Sequence, residues 1–109
     1  MPDDEHKFPL VFQFPASTHD EWESLMSLLD EVTNDLACND EPLVDGYDFG
    51  LGEYNIFIHT NLPHTTFLQA KESIERHRSD LIFRAGYRDF DEDDYVPMWP
   101  PDLKTFKVL

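Results

Sequence analysis

The stretch LVDGYDFGLGEYNIFIHT, residues 43–60, decides the fold. Two runs of alternating character, residues 43–49 and 53–60, flank Gly50-Leu51-Gly52. Glycines one residue apart supply the positive φ that a hairpin loop of roughly three to five residues needs. A phosphate-binding loop is the rival reading of Gly-Leu-Gly. Such a loop opens a helix, whose first amides cradle the anion, whereas here the chain runs on into a strand. In the second run Tyr54, Ile56 and Ile58 share one face, and Asn55, Phe57 and His59 share the other.

The segments on either side set what this hairpin belongs to. KFPLVFQFP, residues 7–15, also alternates, with Phe8, Leu10, Phe12 and Phe14 opposite Pro9, Val11 and Gln13, and reads as a strand whose pairing Pro9 limits near its start. In STHDEWESLMSLLDEVTNDLAC, Thr18 and Glu21 have capping-box spacing, and Asp20, Glu21 and Glu23 suit the positive end of a helix dipole. Trp22, Leu25, Met26, Leu29, Val32 and Leu36 then recur at helical spacing, leaving Glu23, Ser27, Asp30, Glu31 and Asn34 outward.

Beyond the hairpin, NLPHTTFLQAKESIERHRSDL predicts a second helix, capped by Asn61, with Pro63 in its first turn. Phe67, Ala70, Ile74 and Leu81 face inward, and Lys71, Arg76 and Arg78 face outward. IFRAGYRDF, residues 82–90, reads as a last strand weakened by Gly86, and the closing LKTFKVL as a short extra strand or a docked arm.

The order is βαββαβ. Two right-handed split crossovers over one antiparallel layer predict an α+β chain of the ferredoxin-like kind, a four-stranded antiparallel sheet with two helices on one face. The 109 residues make one domain, with residues 1–6 a flexible N-terminus and residues 91–109 a C-terminal arm packed on the domain. The second sheet face would carry Val11, Gln13, Asn55, Phe57 and His59. Val11 and Phe57 are too apolar to stand bare in water, so the C-terminal segment or a partner must cover them.

Hydrophobic residues make up 40% of the chain and aromatics 14%, enough for a compact core. No run approaches the ~20 apolar residues of a membrane span. The acidic start MPDDEHK is the opposite of a signal peptide, so a cytoplasmic location is expected. Cys38 is alone, and a thiol at a helix C-terminus among acids is not activated as a nucleophile. The charge is lopsided: 23 acids against 8 bases, net −15. Between Lys7 and Lys71 there is no Lys or Arg, while that interval holds Asp20, Glu21, Glu23, Asp30, Glu31, Asp35, Asp40, Glu41, Asp45, Asp48 and Glu53. Such a field repels nucleic acid and anionic membranes and attracts basic proteins.

In DGYDFGLGEYNIFIHT, Thr66-Phe67 and YRDFDEDDYVPMWPP, residues 45–101 in all, the chain resembles a family of small bacterial proteins of unassigned function. That family joins a D-G-x-D-x-G-x-G-E-x-N-I-F-I strand pair to a helix and a Y-R…D-D-Y…W-P ending. The resemblance implies a shared α+β fold and marks Asp45, Asp48, Glu53, Asn55, Tyr87, Arg88, Asp94, Tyr95 and Trp99 as family features. Leu51 stands between the glycines where a small residue such as Ser is expected.

Candidate chemistry is sparse. Asp89, Asp91 and Asp93 begin a D-x-D-x-D calcium loop, but the sixth and twelfth positions, which need Gly and a bidentate Glu, hold Asp94 and Pro100. A solvated acidic turn is the better account, with Tyr95 and Trp99 packing at an edge of the open sheet face. His6, His19, His59, His64 and His77 show no spacing that converges as zinc ligands, and no metal or cofactor is expected. His59 with Glu53 or Asp45 forms an acid–base pair if strand geometry brings them together. Otherwise His59 is a sheet-surface residue.

Three functions follow from these features. The first is an acidic protein-binding module of the immunity or inhibitor type, covering the basic site of a toxin nuclease or similar partner through Glu23, Asp30, Glu31, Asp35, Asp45 and Asp48. It is not an enzyme and does not bind nucleic acid directly. The second is a small enzyme or ligand-sensing domain built on Asp45, Asp48, Glu53, Asn55 and His59. The third is a homodimer through the open sheet face, with Val11 and Phe57 covered by the second copy.

Overall fold

The structure is a computed structural model in which the described residues are 8–36, 43–50, 52–89, 92–106 and 108. Along the chain they form β1 (Phe8–Pro15), α1 (His19–Leu36), β2 (Leu43–Gly50), β3 (Glu53–Thr60), α2 (Pro63–His77), β4 (Arg84–Tyr87) and β5 (Val96–Trp99). The sheet is antiparallel at every pairing, in the order β2-β3-β1-β4-β5. The architecture is α+β. The layer has five strands rather than the expected four, because Val96–Trp99 pairs with β4. Pro97 hid this strand in the sequence; at an edge its missing N–H removes no ladder bond. The strand expected over residues 82–90 is shorter, four residues, and the closing LKTFKVL contributes no strand among its described residues.

Alternation along the strands sorts the residues onto two faces. Leu10, Phe12 and Phe14 of β1, Tyr54, Ile56 and Ile58 of β3, and Ala85 of β4 turn toward the helices, and none is more than 1% exposed. They meet Leu25, Leu28, Leu29, Val32 and Leu36 of α1 and Phe67, Ala70 and Ile74 of α2 in one cluster. Phe12 stacks on Phe67 with ring centres 5.8 Å apart. Burying side chains of this size contributes about 1.5–3 kcal/mol each. Leu28 widens the expected stripe of α1, while Trp22 and Met26 are half-buried at its border.

The ends of the elements follow from local chemistry. Glu21 N–H donates to Thr18 Oγ1 (3.2 Å), and Glu21 Oε1 accepts from the amides of Ser17 (2.8 Å) and Thr18 (3.2 Å), which completes the capping box. Those amides hold the Glu21 carboxyl below its ordinary range. At α2 the cap is Leu62 and not Asn61, with no side-chain capping bond. Thr60 substitutes for it: its hydroxyl accepts from the Leu62 amide (2.9 Å) and bonds the Thr66 hydroxyl (2.8 Å). In the hairpin, Gly50 pairs with Glu53, so the connection is tighter than the three to five residues expected; Gly52 takes φ 78°, and Leu51 lies outside the described residues.

The second sheet face is covered by the chain itself. Gly86 pairs with Val11, so both look away from the helices. A Cβ on Gly86 would stand 2.7 Å from the Phe106 ring, which places Phe106 over that face. Val11 is 0% and Phe106 5% exposed, yet neither belongs to the helix-side cluster. Tyr95 meets Phe106 edge-on at 5.4 Å, and Arg88 lies over Tyr95. Of the two apolar residues that motivated a homodimer, Val11 is therefore covered within the chain, and Phe57 is half-buried. Trp99 is placed differently from Tyr95. It pairs with Ala85, turns to the helix side, and packs on Phe67 and Phe83 with Lys71 Nζ 4.4 Å from its ring centre. The expectation that both aromatics dock at the open face fails for Trp99, because register with β4 sets its side.

Candidate functional site

The outward face of α1 carries the acids read as a partner surface, and the fold divides them. Glu31 and Asp35 are engaged within the molecule. His77 lies between them, Nδ1 2.8 Å from Glu31 Oε1 and Nε2 3.0 Å from Asp35 Oδ2. Asp35 Oδ2 also accepts from Ser73 Oγ (2.5 Å) and Arg76 Nη1 (3.1 Å). These donors, Ser73 and His77 first and Arg76 after them, hold the Asp35 carboxyl below its usual range. Glu31 and Asp35 thus join α1 to α2, which corrects their assignment as free contacts for a cation. Glu23 is exposed and pairs only with His19 (3.1 Å), whereas Asp30 and Asp48 are exposed and pair with no described residue. Asp45 lies in β2 beside the irregularity between Val44 and Gly46, and its side chain lies outside the described residues.

Of the arginines of the later half, Arg76 alone meets α1 through an acid, at Asp35, and the others turn elsewhere. Arg84 pairs with Glu53 (2.6 Å), Arg78 with Asp80 (3.2 Å) and Lys71 with Glu75 (2.8 Å). Arg78 also bonds Ser24 Oγ, and holds the Asp80 carboxyl low. Arg88 Nη1 donates to the carbonyls of Asp89 (3.3 Å) and Glu92 (3.0 Å). These four are held inside the molecule, and none pairs with Asp30 or Asp48.

Between α1 and the free edge of β2 runs an aromatic ladder that the sequence reading passed over. Register places Tyr47 opposite Ile56 and Phe49 opposite Tyr54, so both rings turn to the helix side. Trp22 lies 6.1 Å from Phe49, Phe49 6.4 Å from Tyr54, and Tyr47 is stacked on Tyr54 at 5.4 Å and 2°. On α1 the stripe Trp22, Met26, Asp30 follows i, i+4 spacing along the same flank. Tyr54 OH donates to Met26 Sδ (2.9 Å). Burial, then Tyr47, then the charge of Asp30 push the Tyr54 phenol far above its ordinary value. Tyr47 is 44% and Phe49 42% exposed. The alternation of acid and ring in DGYDF was the signal available in the sequence.

The hairpin cluster read as an alternative site is not assembled. Glu53 and His59 stand six residues apart on one strand, about 20 Å, and Glu53 is bound to Arg84. Between them Asn55 is buried and accepts from Gln13 Nε2 (3.1 Å) on the far face. Phe57 is half-buried, and Asp48 neighbours Asn55 across the β2–β3 pairing. No three His, Cys, Asp or Glu side chains converge as metal ligands among the described residues. Asp91 lies outside them, as does Cys38. An open cleft of about 410 Å³ separates the acidic turn from the arm, with Asp93 and Asp94 across from Lys104. No helix of the described residues is long and apolar enough to cross a membrane.

No family model, curated protein or solved structure matches the chain, so the resemblance in its hairpin and ending brings no activity with it.

Proposed function

We propose that this chain is an acidic protein-binding module of the inhibitor or immunity type, acting in the cytoplasm on a basic protein such as a toxin nuclease. The observation that carries the reading is selective neutralisation. Every described Arg is engaged within the molecule, while Glu23 and Asp30 on α1 stand exposed on the flank of the aromatic surface and Asp48 stands exposed on the opposite face of β2. An unpaired field of one sign accelerates and orients the approach of an oppositely charged partner. Glu31 and Asp35 leave the contact set, and Trp22, Tyr47 and Phe49 join it. On the fold, we read β1 to β4 with the two helices as a ferredoxin-like frame to which β5 is appended; an experimental structure without β4 beside β1 would remove that reading.

The test is capture and kinetics. The purified chain, immobilised at low salt, is exposed to native cytoplasm, and proteins eluted by raising salt are identified and remade. Charge reversal by Glu23→Lys, Asp30→Lys and Asp48→Lys together should slow association at least about tenfold, and the parent rate should fall steeply with ionic strength. An association rate indifferent to both changes rejects the proposal.

A further inference from the structure

The two edge strands of the sheet are guarded differently. β5 is four residues long and contains Pro97, with Lys71 over the ring of its Trp99. β2 is eight residues long and has no proline, and its irregularity lies early, between Val44 and Gly46, leaving Tyr47–Gly50 in regular pairing with β3. Its outer backbone groups face no other strand among the described residues, and a long edge without proline or lysine is a template for pairing with another chain. Side chains along it alternate, the Tyr47 and Phe49 rings on the helix side against Tyr54, on which the charge of Asp30 acts, and Asp48 on the other.

Resting on the function proposed above, we infer that β2 receives an extended segment of the basic partner as an added strand, with arginine or lysine side chains over the Tyr47 and Phe49 rings toward Asp30, and the intervening side chains beside Asp48 on the other face. Main-chain bonds would give affinity, and the alternating rings and carboxylates would select cations. Charge complementarity chooses this occupant. A second copy would set Asp48 near its own counterpart on a chain of net −15, and nucleic acid is repelled by the same field.

The probes are three short peptides: one alternating arginine and valine, the same peptide N-methylated at alternate backbone nitrogens, and one alternating glutamate and valine. Backbone amide shifts of the isotope-labelled chain are followed on titration. The inference expects shifts centred on Tyr47, Asp48 and Phe49 with the basic peptide, at least a tenfold loss of affinity on N-methylation, and none with the acidic peptide. Tyr47→Ala and Phe49→Ala, both at exposed positions, should each weaken binding several-fold without changing the unfolding midpoint by more than a few degrees. Binding of the basic peptide through Glu23 and Asp30, indifferent to N-methylation, overturns strand addition and leaves the basic-partner function standing. Absence of binding by the basic peptide overturns the inference, and equal binding of the acidic peptide overturns both. Shifts at β2 that appear with rising protein concentration alone assign the edge to a second copy and reject it.

Discussion

Replacing Gly86 by alanine tests the seat of the C-terminal arm. A Cβ there would stand 2.7 Å from Phe106 Cδ2, 2.8 Å from Cγ and 3.1 Å from the Val96 carbonyl oxygen. Carbon atoms pack at roughly 3.5–4.0 Å, so the ring must withdraw by about 1 Å. The near end of the ring is what meets the methyl group, and the Val96 carbonyl closes the other side. Overpacking of this kind costs about 1–3 kcal/mol. Phe106→Ala costs about 3 kcal/mol, the low end for a buried phenylalanine, because the ring is clasped by an arm on one side. In the double variant the methyl group meets no ring, so its cost largely disappears. The two changes should therefore be non-additive by about 1–3 kcal/mol, with the double variant close to Phe106→Ala alone. Equilibrium urea unfolding of the four proteins, followed by Trp fluorescence and far-ultraviolet dichroism, measures this. Additive effects within about 0.5 kcal/mol would refute the placement of Phe106 over Gly86.

Two further outcomes follow from buried or bridging polar groups. Asn55→Leu leaves the Gln13 amide without its acceptor and should cost about 1–3 kcal/mol, while Gln13→Leu with Asn55→Leu should recover most of it, as read by urea unfolding. Asp35, whose carboxyl is held low chiefly by Ser73 and His77, contributes stability above its unfolded pKa, near 4, and loses it as pH falls through the lower folded value. Asp35→Asn should therefore melt below the parent at neutral pH, and the gap should narrow as pH falls below about 4. A gap that is constant with pH would show that the charge of Asp35 contributes nothing.

Periodicity made the helix-side core readable: the even positions of FPLVFQFP, the Tyr54-Ile56-Ile58 face and the α1 stripe all meet in one cluster. What stayed hidden depended on contacts between distant segments. β5 follows an acidic turn and contains Pro97, so neither propensity nor alternation marks it, and only pairing with β4 makes it a strand. The side taken by Trp99 depends on the register shift between Ala85 and Gly86. The engagement of Glu31 and Asp35 depends on which flank of α2 meets α1, and the sequence of α2 offers Ser73, Arg76 and His77 without saying what they face. Asn61 failed as a cap for a local reason: Thr60, one residue earlier, is buried in the sheet and offers its hydroxyl to the same turn.

The segregation of charge along the chain becomes a segregation of surface only because the fold neutralises some acids and not others. Asp35 and Glu53 each meet an arginine from the later half, and Glu21 is taken by its own helix cap. Had Arg76 or Arg78 reached Asp30, the α1–β2 flank would be electrically quiet. Asp30 instead meets no arginine or lysine among the described residues. The Tyr54 phenol sits beneath Tyr47, and the charge of Asp30 adds to burial in disfavouring the phenolate, with no cation acting on it in the opposite sense. The charge of Asp30 thus acts at Tyr54, beneath the exposed Tyr47 ring, where desolvation by an incoming segment would strengthen rather than screen it. Rings alone would accept any apolar strand, and carboxylates alone would hold a diffuse cloud of counterions. Their alternation on one edge distinguishes a cationic strand from both.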